Sequence, residues 1–453
     1  MTRPEYGTRS VLPGAARRRD ARIAVARLPE ELTWYRIPVL LAVVAILALP
    51  GVAQKKRPDD PAGCPWCHND PVLLEKAGLK NHGPFVFGKY DTAKAKELLP
   101  EVDYRWIETE HFRIGFTLGP HKVKLDEKKK ILAELTRLKP FFPDLKPETQ
   151  ILDPWMRVHL YAQRCEDIYE RFGEILRLEG AQFADGTGVW RGSYRGEGPY
   201  LGMKEKYEVL VLPSEAAHVE FLTANCGLKI RKSQRWHYIE RGAIAIICHA
   251  QQGRLRTDAA LHGHVAFNLA HNLLDGLNHY GYDTPIWYHE GLAHVMEREI
   301  DPNYNSFDSG EGATAEETSK SNWKPEVLKL LSENKAPRLA ELMGLKSYAE
   351  LKLPDHFTTW SMVDFLLQKR PEEFAKFIFQ IKSNKDEKGL PTGSNLLEWH
   401  RTAFKEVFGW NYPEFDEAWR AWVKEAYKPG IPKGGETGPV IPGSGFPPVG
   451  GGG

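Results

Sequence analysis

Apolar and polar residues alternate through 106–116, which predicts a strand. A charged stretch at 127–138 has helical spacing; 156–161 reads as strand, 165–178 as helix, 207–212 as strand and 214–225 as helix. Residues 241–249, with Ile244, Ile246 and Ile247, read as a buried strand. From Thr257 the helical period takes over, at 259–277, 285–299, 326–331, 358–368, 371–381, 396–408 and 412–426. Strands first and helices later is an α+β ordering: a small mixed sheet with helices in 104–256, then a mainly helical half in 257–427. Residues 301–321 are acidic, contain Gly and Ser and lack a period, so they are expected to form a surface loop.

The chain ends read differently. Arg17, Arg18, Arg19, Arg22, Arg27 and Arg36 precede an apolar run at 37–50, and Gly51-Val52-Ala53 supplies small residues before Gln54. Positive, apolar, small is the order of a secretory signal, so 1–53 is read as a signal peptide and the mature protein as exported, whether periplasmic, cell-surface or secreted. The competing reading is an uncleaved N-terminal anchor, although the run is short for the ~17–25 apolar residues that cross a bilayer and Pro38 interrupts it. No later stretch is long and apolar enough to span, so no membrane span is expected after cleavage. Residues 428–453 are Pro, Gly and little besides, which predicts a disordered tail.

Basic and acidic residues balance to a net charge of +1, which recommends no nucleic-acid partner. Within 54–103, Cys64-Pro65-Trp66-Cys67-His68 reads as a c-type haem attachment site, with His68 as iron ligand. Against haem, few residues separate it from the next domain, and a sixth ligand would have to come from His82 or elsewhere. The same residues suit a Cys64–Cys67 disulfide, or half of a zinc knuckle completed by His68 or His82. Cys165, Cys226 and Cys248 are scattered, as buried thiols or one bridge plus one thiol.

The strongest chemical pattern is Phe267-Asn268-Leu269-Ala270-His271, then eighteen residues, then Glu290 within Trp287-Tyr288-His289-Glu290-Gly291-Leu292-Ala293. It resembles the gluzincin (peptidase MA-like) superfamily, whose H-E-x-x-H helix is followed by a helix bearing a third zinc ligand, Glu, in a W-x-x-E-G-x-A sequence. Two further stretches are similar to an uncharacterised bacterial branch: 106–114, as W-x-E-T-x-H-F-R-I, and Phe408-Gly409-Trp410 with Ala418-Trp419-Arg420-Ala421-Trp422-Val423. The resemblance covers 104–427 and implies a zincin-like helical half with the polar faces of the two site helices meeting. His271 and Glu290 match metal ligands. Phe267 stands where the first His belongs and Asn268 where the general base belongs.

Thr284 is the expected N-cap of the second site helix, with Pro285 at its first position. Glu290, Ala293, His294 and Glu297 then share one face; His264, Asn268, His271 and Asp275 share a face of the first helix. Small Gly291 and Ala293 favour a close neighbouring helix. A compensated zinc site would use His271, Glu290 and His294, or His271 with Asp275. Asn268 cannot accept a proton, and losing a positioned base costs about 10²–10⁴ in rate. No intact H-E-x-x-H, Ser-nucleophile elbow or phosphate loop occurs. The expectation is an exported, catalytically inactive peptidase-like domain binding a peptide or protein. A metal-dependent hydrolase with a rearranged site and a haem redox protein are the alternatives.

Overall fold

The computed structural model describes residues 63–428 apart from 179–182, 184–187, 191–192, 254, 279–283, 308–320, 383–386, 388–391 and 393. The export signal read at 1–53, the tail beyond Lys428 and most of the 301–321 loop lie outside these residues. In chain order the first part contains α1 (Pro71–Lys76), β1 (Val86–Phe87), β2 (Tyr90–Asp91), α2 (Thr92–Leu98), β3 (Arg105–Glu108), β4 (Phe112–Phe116), β5 (His121–Lys122) and α3 (Lys128–Leu138). Then come β6 (Ile151–Leu152), α4 (Pro154–Ile175), β7 (Gly188–Trp190), β8 (Ser193–Gly196), β9 (Tyr207–Leu212), α5 (Glu215–Cys226), β10 (Gln234–Tyr238) and β11 (Ala243–His249). Helices follow: α6 (Asp258–Asn278), α7 (Ile286–Ile300), α8 (Lys324–Ser332), α9 (Leu339–Leu342), α10 (Leu353–Lys369), α11 (Pro371–Lys382), α12 (Leu396–Phe408) and α13 (Tyr412–Ala426). This is the α+β order that the pattern predicts. Among the described residues, no helix is long and apolar enough to cross a membrane.

Five strands form the mixed sheet, in the order β10-β11-β9-β4-β3. The inner strands β11, β9 and β4 run parallel, and each edge strand is antiparallel to its neighbour. Ile244, Ile246 and Cys248 of β11 face the main core, which includes Leu160 of α4 and Val265 of α6. Ala243, Ala245 and Ile247 face a second core with Phe221 and Leu222 of α5. A strand covered on both faces has no polar side to show, so its sequence is continuously apolar.

Three local readings are corrected. Residues 106–116 are a hairpin: Thr109 Oγ1 accepts the Phe112 N–H at 3.1 Å and the chain doubles back. Residues 156–161 are helical, as the opening of α4. Asp153 caps that helix by accepting the N–H groups of Trp155 and Met156, and Pro154 occupies its first turn. Every residue from Met156 to Cys165 is buried, so the apolar spacing there carries no helical period. Finally, α7 begins at Ile286, and Thr284 accepts a hydrogen bond from Asn278 instead of capping.

The described residues all belong to one compact unit. Cys64, Cys67, Leu74 and Leu79 enter the main core, while Phe87, Leu99 and Val102 enter the second. A buried ion-pair triad links α3, α4 and α6: the Arg164 guanidinium binds Glu134 and Asp258, each at 2.8 Å.

Candidate functional site

The site lies where α7 packs between α6 and α10. The close approach depends on Gly291, where a Cβ would stand 2.5 Å from the Thr359 carbonyl oxygen of α10 and 2.7 Å from Val363. The two polar faces meet as the sequence predicts. Glu290 is fully buried and surrounded by three histidines. His271 Nε2 reaches one carboxylate oxygen at 3.3 Å. His294 Nε2 and His356 Nδ1 reach the other at 3.3 and 2.9 Å, and lie 3.1 Å from each other.

The zinc set that the resemblance implies does not assemble. Phe267 offers no lone pair, and its ring sits between two of the histidines, 4.8 Å from the His271 ring and 5.1 Å from that of His294. Asn268, where the family has its base, donates to the His264 carbonyl at 2.8 Å and accepts from Arg235 at 3.2 Å. The group able to converge on one ion is Glu290, His294 and His356. That group holds Glu290 and His294 of the expected trio and adds His356, while His271, the third, faces the far carboxylate oxygen at 3.3 Å. His356 went unnoticed because it precedes the helical period read at 358–368; it lies in the first turn of α10.

Asp275 does not join Glu290. Its carboxylate lies 3.0 Å from His289 Nε2 and 3.8 Å from His237 Nε2 of β10. His289 Nδ1 lies 2.9 Å from His271 Nδ1 and also contacts the Tyr348 hydroxyl. His264 binds the hydroxyls of Ser233 and Ser306 at 2.8 and 2.9 Å.

The electrostatics follow from burial opposed by pairing. Burial alone would raise the Glu290 carboxyl, but hydrogen bonds from His271, His294 and His356 hold it well below its usual range. Burial would lower His294; the carboxylates of Glu290 and Glu297 outweigh it and raise the imidazole above its usual value. His271 is pushed down to about 4 by burial, with Arg235 and His289 adding to the effect. Pairing therefore favours the anion at Glu290 and the cation at His294, while burial favours the neutral form of His271.

A second cluster gathers the cysteine turn. Cys64 and Cys67 are buried free thiols. Cys64 Sγ lies 3.0 Å from His159 Nε2 of α4, and Cys67 Sγ lies 3.0 Å from His82 Nε2. The four ligand atoms all fall within 4.8 Å of one another. His68 is exposed and takes no part in this group. His82 was among the expected partners; His159 was hidden by reading its segment as a strand. Cys165, Cys226 and Cys248 are also free thiols.

No family model matches the chain, and no curated protein sequence matches it.

Proposed function

We propose that this chain is an exported protein whose gluzincin-like domain has lost hydrolysis and binds a peptide or protein ligand. The carrying observation is the Phe267 ring between His271 and His294, which puts hydrocarbon where the family places a zinc ligand. Burial points the same way. Phe267, Asn268, His271, Glu290 and His294 are all shut away from solvent, whereas a hydrolytic centre needs room for water and a substrate carbonyl. Asn268 adds a carboxamide already committed to Arg235 and His264. Binding is supported by β10, the edge strand of the sheet, which carries Arg235 and His237 beside the site. An extended peptide recognises such an edge by adding a strand.

The test pairs two measurements on the full chain. Mixed peptide substrates with and without zinc should show no turnover, and an extended-peptide library should yield ligands that slow amide exchange at Gln234–Tyr238. Zinc-dependent cleavage abolished by Glu290→Gln would overturn the proposal.

One observation favours a second reading, a metal-dependent hydrolase with a shifted site. Glu290, His294 and His356 stand 2.9–3.3 Å apart, close to the ~3.3 Å edges of a tetrahedral zinc face with nitrogen and oxygen ligands. That reading requires hydrolysis lost with His356→Ala, and hydrolysis unaffected by His271→Ala.

A further inference from the structure

We infer that Cys64, Cys67, His82 and His159 form a structural zinc site that fastens the cysteine turn to α4. Four soft or borderline ligands converge in one group, with Cys64, Cys67 and His159 buried and His82 half-buried. Tetrahedral zinc with two thiolates and two imidazoles has ligand-to-ligand edges of about 3.3–3.8 Å. Cys64 Sγ–His159 Nε2 and Cys67 Sγ–His82 Nε2 are each 3.0 Å, and the remaining ligand separations stay within 4.8 Å, so small side-chain shifts would bring the four to these edges.

The surroundings orient the ligands as a metal requires. His82 Nδ1 lies 2.8 Å from the Trp106 carbonyl oxygen. Donating its proton there leaves the Nε2 lone pair aimed at the cluster, the usual outer-shell arrangement for a zinc-bound imidazole. The turn between the cysteines is held by Trp66, whose indole N–H donates to Asp153 at 3.0 Å; Asp153 also caps α4, on which His159 stands. Backbone bonds from His68 N–H to the Cys64 carbonyl and from Asp70 N–H to the Cys67 carbonyl shape the turn so that both thiols point inward.

The haem arrangement asks for different geometry. It needs thioether sulfurs facing a porphyrin and His68 as iron ligand, yet His68 is exposed and both thiols face His82 and His159. A Cys64–Cys67 disulfide would leave the two convergent imidazoles without a function.

The experiment is cobalt substitution of the full chain, prepared under reducing conditions, dialysed against chelator and reloaded. Cobalt bound in this site gives intense tetrahedral visible bands together with a near-ultraviolet thiolate charge-transfer band; a Glu290–His294–His356 site has no sulfur and cannot give the charge-transfer band. One equivalent with these bands is expected, displaced by zinc, retained in His68→Ala and lost in Cys67→Ser. Chelation of the zinc form should lower the melting midpoint by on the order of 5–10 °C. Cobalt uptake without thiolate bands, no uptake by reduced wild-type protein, or a haem Soret band lost with His68 would each overturn the assignment. The wild-type spectrum needs no variant, so a misfolded cysteine mutant leaves the test intact.

Discussion

The ring of Phe267 lies 5.1 Å from that of His294, centroid to centroid and tilted by 48°. A residue of α6 thereby packs against the histidine that α7 brings to the Glu290 carboxylate. Phe267→His with Asn268→Glu should restore a one-turn histidine pair with His271. The expected outcome is one further equivalent of bound zinc over the parent chain, removed by Glu290→Gln. A folded double variant with unchanged zinc content would count against the alignment of α6 with the peptidase helix.

Arg164 neutralises two buried carboxylates at once, those of Glu134 and Asp258. Arg164→Ala leaves both without their main cation, a loss of ~3–5 kcal/mol. Urea unfolding would measure it; a change below about 1 kcal/mol would mean that the triad behaves like a surface pair.

Part of the acid sensitivity should arise at His400, alongside His271, which burial also depresses. The His400 imidazole is buried, Nε2 accepts the Trp287 indole N–H at 3.0 Å, and burial together with Arg401 pushes its pKa down to about 3. A base depressed on folding takes up more protons unfolded, so its share of stability is intact above the ordinary histidine pKa near 6.5 and drains as pH falls toward 3. By pH 5 the loss is on the order of 2 kcal/mol. His400→Gln should flatten the stability profile between about pH 7 and 5; an unchanged slope would place the sensitivity elsewhere.

Gly291→Ala should destabilise by ~1–3 kcal/mol through overpacking against α10, because the new methyl meets the Thr359 carbonyl at 2.5 Å. Gly173→Ala in α4 is the control, since nothing lies within 4 Å of a Cβ there. That change should be neutral or stabilising by up to about 1 kcal/mol. Equal thermal midpoints for the two variants would refute the close-packing account of Gly291.

The sequence made elements with one exposed face legible. Helices α3, α11, α12 and α13 keep a polar side, and their bounds are close to those read from the period. It misled where burial is complete: the start of α4 has no wet face, so Met156, Val158 and Leu160 alternate like a strand while lying in a helix. That misreading hid His159. The paired faces of α6 and α7 were legible because His271 and Glu290 sit at family spacing. His356 was not, since it lies 66 residues beyond Glu290 in the chain and only folding brings it to 2.9 Å. The short strands β1 and β2 have no period to detect at two residues each.

Helix α4 runs for 22 residues, roughly 33 Å. Near one end it carries His159 beside the cysteine turn; near the other, Arg171 clasps Glu299 at the close of α7. The described stretch from residue 63 to 103 is therefore a wall of the building, not a porch. A shortened protein beginning at Tyr104 would bare the flank of this helix and the Phe221 side of the sheet together, and should precipitate rather than persist as an autonomous unit.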